Sequence, residues 1–184
     1  AVSAIPHTAV IMPSCPNEAE EFMYQAVKRF ESDRAAGKDG ESYIFFVGRE
    51  SYPLNWVENP NYEWGKAQVL QEGSDMVLVG SGVLLNRAIE AGQQLAEMGV
   101  KATVINNPFI NHPDVDTIGE AVKAAGGNLV TIEDHQSICG MGAQLSHALS
   151  RAGIAHRVKT LGIDGQFGQS AYKADHLYDK NGLS

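Results

Sequence analysis

The sequence is short of cysteine, of clustered positive charge and of long apolar runs, and each shortage removes a class of protein. Two cysteines, Cys15 and Cys139, in 184 residues cannot staple a small secreted scaffold. Their scarcity fits a reducing compartment, so a cytoplasmic location is expected. No Asn-x-Ser/Thr acceptor for glycosylation occurs. Lysine and arginine total 14 against 22 acidic residues, for a net charge of −8 and a pI near 5.2, and basic residues never exceed two in a row. Such a surface repels a phosphate backbone or an anionic bilayer, so neither nucleic acid nor membrane is an expected partner. The apolar runs Tyr43 to Val47 and Met76 to Val79 fall far short of the roughly 20 residues that span a bilayer. The N-terminal AVSAIPHTAV has neither a basic region nor an extended apolar core, so it does not read as a signal peptide. It reads as the start of a fragment or of a processed chain.

What is present is the patterning of a folded α/β protein. The composition is 43% hydrophobic and 20% charged, the balance of a chain with one ordinary core. Thr8 to Met12 reads as a strand stopped by Pro13, and Glu18 to Phe30 as a helix with Asn17 as its cap. Phe22, Ala26 and Phe30, with Met23 and Val27 beside them, form the stripe of a helix lying on a sheet. Ser42 to Val47 is apolar without alternation and predicts a strand buried on both faces. Residues 51–73 hold both tryptophans and no helical period, which suggests an inter-domain linker or functional loop.

Beyond it strands and helices alternate. The expected strands are Met76 to Val79, Lys101 to Ile105, Leu129 to Ile132 and Ala155 to Leu161. The expected helices are Leu84 to Met98, Val115 to Ala125 and Met141 to Ala152, the first and last closed by Gly99 and Gly153. This order predicts a mostly parallel sheet with helices on both faces.

Three places could carry chemistry. Gly80-Ser81-Gly82 ends a strand and opens a helix, as in a dinucleotide fingerprint, but Leu85 stands where the third glycine belongs. A phosphate at the helix N-terminus and a bare tight turn both fit. Glu133 to Gly142 is the densest polar cluster. Cys139 as a thiolate with His135 as base, zinc on His135, Cys139 and His147, or Glu133 and Asp134 capping the turn are all compatible with it. Arg49 follows an apolar strand, where its guanidinium could fork onto a phosphate or carboxylate, or pair with Glu50 or Glu58 on the surface. His7, His112, His156 and His176 stand isolated and read as solvated or singly hydrogen-bonded. The aromatic residues of 51–73 could stack on a ligand or pack in an interface.

Together, Ser74 to Gly82, Val100 to Pro108, and Leu129 to His135 with Gly140-Met141-Gly142 resemble the C-terminal domain of transketolases. Upstream, Ile5 to Pro13 with its acidic helix resembles the last part of that family's pyrimidine-binding domain. Phe46 to Glu50 and Gly65 to Leu70 resemble the join between the two. The resemblance divides the chain into residues 1–50, the end of a pyrimidine-binding domain; 51–73, a linker; and 74–184, a C-terminal domain. Ala174 to Leu183 would begin a final helix running past Ser184.

The resemblance implies a thiamine-diphosphate enzyme that moves a two-carbon ketol unit between phosphorylated sugars, as in the pentose phosphate pathway. It also implies a homodimer whose active sites lie between subunits. Deoxyxylulose-phosphate synthases and the β-subunits of 2-oxoacid dehydrogenases carry similar turns and are alternatives, as is a non-catalytic dimerisation or regulatory domain. By the resemblance Arg49 binds the substrate phosphate. No Gly-Asp-Gly with a following Asn is present for magnesium and diphosphate, nor a match to the segment whose glutamate contacts the thiamine ring. No catalytic, cofactor-binding or metal-binding residue is therefore assigned, no cofactor is expected on this chain alone, and the N-terminal remainder of the enzyme is the expected partner.

Overall fold

The computed structural model describes residues 2–184. A five-stranded sheet in the order β3-β5-β4-β6-β7 forms its centre, built from β3 (Gln68–Gln71), β4 (Met76–Gly80), β5 (Ala102–Asn106), β6 (Asn128–Gln136) and β7 (Arg157–Ile163). Only β3 runs antiparallel; the β5-β4-β6-β7 pairings are parallel. Parallel neighbours require crossovers. These are supplied by α2 (Leu85–Glu97), α3 (Val115–Ala124) and α4 (Met141–Arg151).

The central strands β4 and β5 are buried on both faces, β6 is buried along its middle, and the period of two sorts their side chains into two cores. Val77, Val79 and Ile105 face Ile118, Val122, Leu145 and Leu149 of α3 and α4. Leu78, Ala102 and Val104 face the α2 side with Ala88. α2 can lie close because Gly92 has no Cβ: one there would meet Val104 Cγ2. The expected sheet with helices on both faces is what the chain forms.

A smaller unit precedes it. β1 (Thr8–Ile11) pairs in parallel with β2 (Ser42–Phe45), and α1 (Pro16–Ala35) connects them. Its core is aromatic: Phe22 sits edge-on to Phe109, Tyr62 and Trp64 with centroids 5.1, 6.0 and 6.1 Å away. Phe109 comes from the loop after β5, and Ile11 bridges to it, so this cluster docks the small unit onto the sheet.

Five expectations are corrected. α1 starts at Pro16, with Cys15 rather than Asn17 in the cap position, because proline's fixed φ and missing N–H suit the first helical residue. β2 is partly rather than fully buried, since its sheet has only two strands; for the same reason Met23, Val27 and Phe30 of the α1 stripe remain exposed. Residues 51–73 are not all linker, because Gln68–Gln71 joins the main sheet as its antiparallel edge. β6 continues through Glu133 to Gln136, and β7 is shifted to Arg157–Ile163. α5 (Ala174–Asn181) stops before the end of the sequence instead of running past Ser184. Gly182 at φ +67° lets its N–H reach Asp179 and the Leu183 N–H reach Tyr178, while Leu183 folds back into the α2-side core.

No helix among the described residues is long and apolar enough to cross a membrane.

Candidate functional site

In an open α/β sheet the strand carboxyl ends beside the switch in strand order form a crevice. Here that place lies beyond β4 and β6, where Gly80-Ser81-Gly82 and Glu133 to Gln136 emerge. The first of these is closed by the chain itself. The Gly82 N–H donates to the Met12 carbonyl at 3.2 Å, and a Cβ on Gly82 would strike the Met12 side chain. The tight-turn reading is the one the structure supports, with glycine used for close packing between units.

Beside this junction Glu18 is buried without a cation. Its carboxylate accepts from the Ser14 N–H at 2.6 Å, the Ser14 hydroxyl at 2.8 Å and Asn106 Nδ2 at 2.7 Å. Burial drives its pKa up, and these hydrogen bonds only partly oppose the rise. In the sequence Glu18 is only the first residue of the expected helix; in the fold it joins α1 to the end of β5.

Glu133 carries the second junction. Its carboxylate, fully buried, accepts from the N–H groups of Met141 and Gly142 at 2.5 and 3.0 Å, capping α4 where Gly140 has no side chain to do so. The Gly-x-Gly spacing follows from this clamp. A Cβ on Gly140 would collide with the Glu133 carboxylate, and one on Gly142 with the hydroxyls of Thr131 and Thr160.

His135 leans on the same carboxylate. Nε2 lies 2.6 Å from Glu133 Oε2, and Nδ1 lies 3.5 Å from Asp134. At this distance the contact with Glu133 is an ion pair. Burial alone would lower the histidine pKa, but the two carboxylates outweigh it and lift the value to about 9. His135 is therefore charged at neutral pH, the wrong state for a general base to Cys139.

Its folded pKa stands above the ordinary 6.5, so the stability it contributes is complete below about pH 6.5 and is lost as pH rises through about 9. The thermal midpoint should fall between pH 7 and 9.5, and His135→Gln should flatten that fall. An unchanged slope in the variant would place the titration elsewhere.

The remaining sequence candidates separate in space. His147 is exposed on α4, and among the described residues no three of His, Cys, Asp and Glu are placed to hold a metal ion. The zinc reading has no site. Cys139 is an exposed free thiol at φ +61° on the wall of a cavity of about 400 Å³ between the two units, and Asp134 and His135 share that wall. His156 is held twice, by Ser146 and the Ile154 carbonyl, and His112 meets the Thr8 carbonyl at 3.3 Å. Trp56 donates to Ser14 and Trp64 joins the aromatic cluster, so the tryptophans pack the interface between units.

Arg49 is exposed just beyond β2, where the two units meet. Gly48 before it lines the 400 Å³ cavity, and Glu50 after it lines two more. Neither Glu50 nor Glu58 pairs with its guanidinium among the described residues. Glu50 instead accepts from the Arg49 backbone N–H at 2.9 Å, from Tyr52 at 3.4 Å and from Tyr178 at 3.3 Å. Burial and the charges of Glu50 and Asp134 push the pKa of both tyrosines up, so they stay protonated donors.

These features define an α/β domain with a mostly parallel sheet, onto which a smaller α/β unit is docked. The family model for the transketolase C-terminal domain matches residues 65–184, and the chain belongs to the transketolase family. That match starts ahead of β3, in agreement with its place in the sheet.

The chain is 31% identical over 98% of its length to the human transketolase-like protein 2, covering 27% of that protein. It is also 31% identical over 68% of its length to a putative transketolase C-terminal section of Methanocaldococcus jannaschii, covering 38% of it. A deoxyxylulose-phosphate synthase of Symbiobacterium thermophilum is 28% identical over 98% of the chain, which spans 26% of that enzyme. A solved split-gene transketolase, described as an inactive β4 tetramer, superposes with a TM-score of 0.75 at 27% identity, over all of this chain and 55% of its own. The chain thus spans about a quarter to just over half of these relatives.

The residues present do not fit a magnesium–diphosphate group. Gly82 packs against Met12, Gly140 and Gly142 pack against Glu133, Thr131 and Thr160, and among the described residues no three of His, Cys, Asp and Glu are placed to hold a metal ion.

Proposed function

We propose that this chain is the C-terminal portion of a transketolase-type transferase. Its thiamine diphosphate and Mg²⁺ are held by other parts of the assembled enzyme, and Arg49 receives the phosphate of the sugar substrate. The observation that carries this reading is the state of Arg49. It is exposed where the two units meet, and the neighbouring Glu50 carboxylate is committed to Tyr52, Tyr178 and a backbone N–H instead of neutralising the guanidinium. A guanidinium left unpaired is suited to a bidentate hold on phosphate.

The need for more protein is supported by the chain's partial span of its relatives and by the apolar residues exposed on the small unit. Met23, Tyr24, Val27 and Phe30 on α1 and Phe46 and Val47 after β2 are all more than 40% exposed. We assign this surface to the N-terminal remainder of the enzyme and to the second subunit of a homodimer. The tetrameric assembly of the split-gene neighbour supports self-association.

Arg49→Ala in the assembled enzyme should raise KM for phosphorylated acceptors about 10- to 100-fold, the loss of a charged hydrogen-bonded pair, and leave unphosphorylated acceptors nearly unchanged. Equal effects on both would make the arginine structural. A synthase that condenses its two-carbon unit onto a phosphorylated aldehyde is the second reading, favoured by the similarity to deoxyxylulose-phosphate synthases. Product analysis with pyruvate as against a ketose phosphate as donor separates the two.

A further inference from the structure

We propose that the cavity under the β7–α5 connection is a binding site for a neutral, hydroxyl-rich molecule of about pentose size. It measures about 410 Å³ and lies between the end of β6, the 164–173 connection and α5. Its polar lining combines four amides, Gln136, Gln166, Gln169 and Asn181, with Glu50, Asp134, His135 and Tyr178, over an apolar floor of Ile163 and Leu177.

Several of these groups are already committed. Gln136 pins the connection at both ends of its amide, accepting from the Gly165 N–H at 3.1 Å and donating to the Gln166 carbonyl at 2.6 Å. Gln169 Oε1 takes Lys180, and Asn181 Nδ2 gives to the Leu177 carbonyl. The Gln166 side-chain amide, Gln169 Nε2 and Asn181 Oδ1 enter none of the hydrogen bonds formed among the described residues. They supply both donors and acceptors, the mixture that hydroxyl groups match.

Phe167 completes the set. It lines the same cavity yet is 96% exposed, in the irregular stretch between Gly165 at φ +66° and Gly168. An aromatic ring standing open at the mouth of an amide-lined cavity offers an apolar face to the C–H side of a sugar ring.

Charge decides against a phosphate ester here. No lysine or arginine lines the cavity, whereas Glu50 and Asp134 do. The one cation on its wall, His135, is held by Glu133 and Asp134. An organic cation is disfavoured too, because Glu50 is engaged by three donors and Asp134 by His135. Arg49 does not line this cavity, so the inference stands apart from the assignment of Arg49.

The test is a titration of this chain with D-xylose, followed on the side-chain amide resonances of Gln166, Gln169 and Asn181. Saturable shifts at millimolar sugar are expected. Phe167→Ala and Gln169→Ala should each weaken them about tenfold, while Arg49→Ala leaves them unchanged. Xylose 5-phosphate should saturate the same resonances only at higher concentration.

Three results would overturn the proposal. The first is shifts that do not saturate, or that persist undiminished in both variants. The second is tighter binding of the phosphate ester that Arg49→Ala abolishes, which would place the sugar on the arginine. The third is a stronger response to methylammonium than to xylose, or shifts that follow protein concentration without sugar, the latter marking Phe167 as covered by a second copy.

Discussion

Glu133→Ala is expected to destabilise the chain by about 3 to 5 kcal/mol, because it deletes two charge-assisted hydrogen bonds and leaves their donors buried. The donors are the Met141 and Gly142 N–H groups at the start of α4, which no side chain of the helix itself can satisfy. His135 loses its Nε2 partner in the same step. For a chain of this size the loss corresponds to a fall in thermal midpoint on the order of 10 °C. Glu133→Gln should lose less, since it keeps an acceptor within reach but turns an amide NH₂ toward a backbone N–H. Differential scanning calorimetry reads both. A loss below 1 kcal/mol for the alanine variant would mean that water takes over the cap.

Phe109→Ala should cost a similar amount, about 3 to 5 kcal/mol as for other buried phenylalanines, but with a different spatial signature. Phe109 belongs to the sheet domain by sequence, yet its ring lies 5.1 Å from the rings of Phe22 in the small unit and Trp64 in the connecting segment. Removing it opens a hole in the joint between units, while the core of β4, β5 and β6 keeps its contacts. Hydrogen exchange should therefore accelerate in β1 and α1 far more than in β4, and Phe109→Leu should restore most of the protection. Uniform acceleration across both units would show that the two do not open separately.

The contrast between these residues explains what could be read in the sequence. β4 and β5 were legible because a sheet buried on both faces needs unbroken apolar runs, which Met-Val-Leu-Val and Ala-Thr-Val-Ile supply. β3 was not: Gln-Val-Leu-Gln is four residues long and half-exposed at an antiparallel edge, and too few side chains face a core to leave a pattern. Glu133 to Gln136 looked like a turn because buried strands seldom carry four polar residues in succession. What buries Glu133 is a pair of backbone N–H groups eight and nine residues ahead, and backbone donors leave no letter in the sequence. The trace they do leave is the pair Gly140 and Gly142, each excluded from carrying a Cβ.

Arg49 lies just beyond β2, and its freedom from an ion pair depends on how Glu50 is used. That in turn depends on Tyr178 of α5, which is 128 positions away in sequence. The end of α5 shows the reverse case, where local chemistry was available and outweighed by family likeness. Gly182 followed by a leucine is a helix stop, and Leu183 makes it one by returning to the core.

Under the proposed function this chain carries a substrate-facing arginine and the sheet domain of the enzyme, and the cofactor is held elsewhere in the assembly. Calorimetric titration of thiamine diphosphate with Mg²⁺, into the 184-residue chain alone and into the same chain assembled with the N-terminal part of the enzyme, tests it most directly. Heat of binding should appear only in the assembly. Saturable, tight binding to this chain alone would contradict the account.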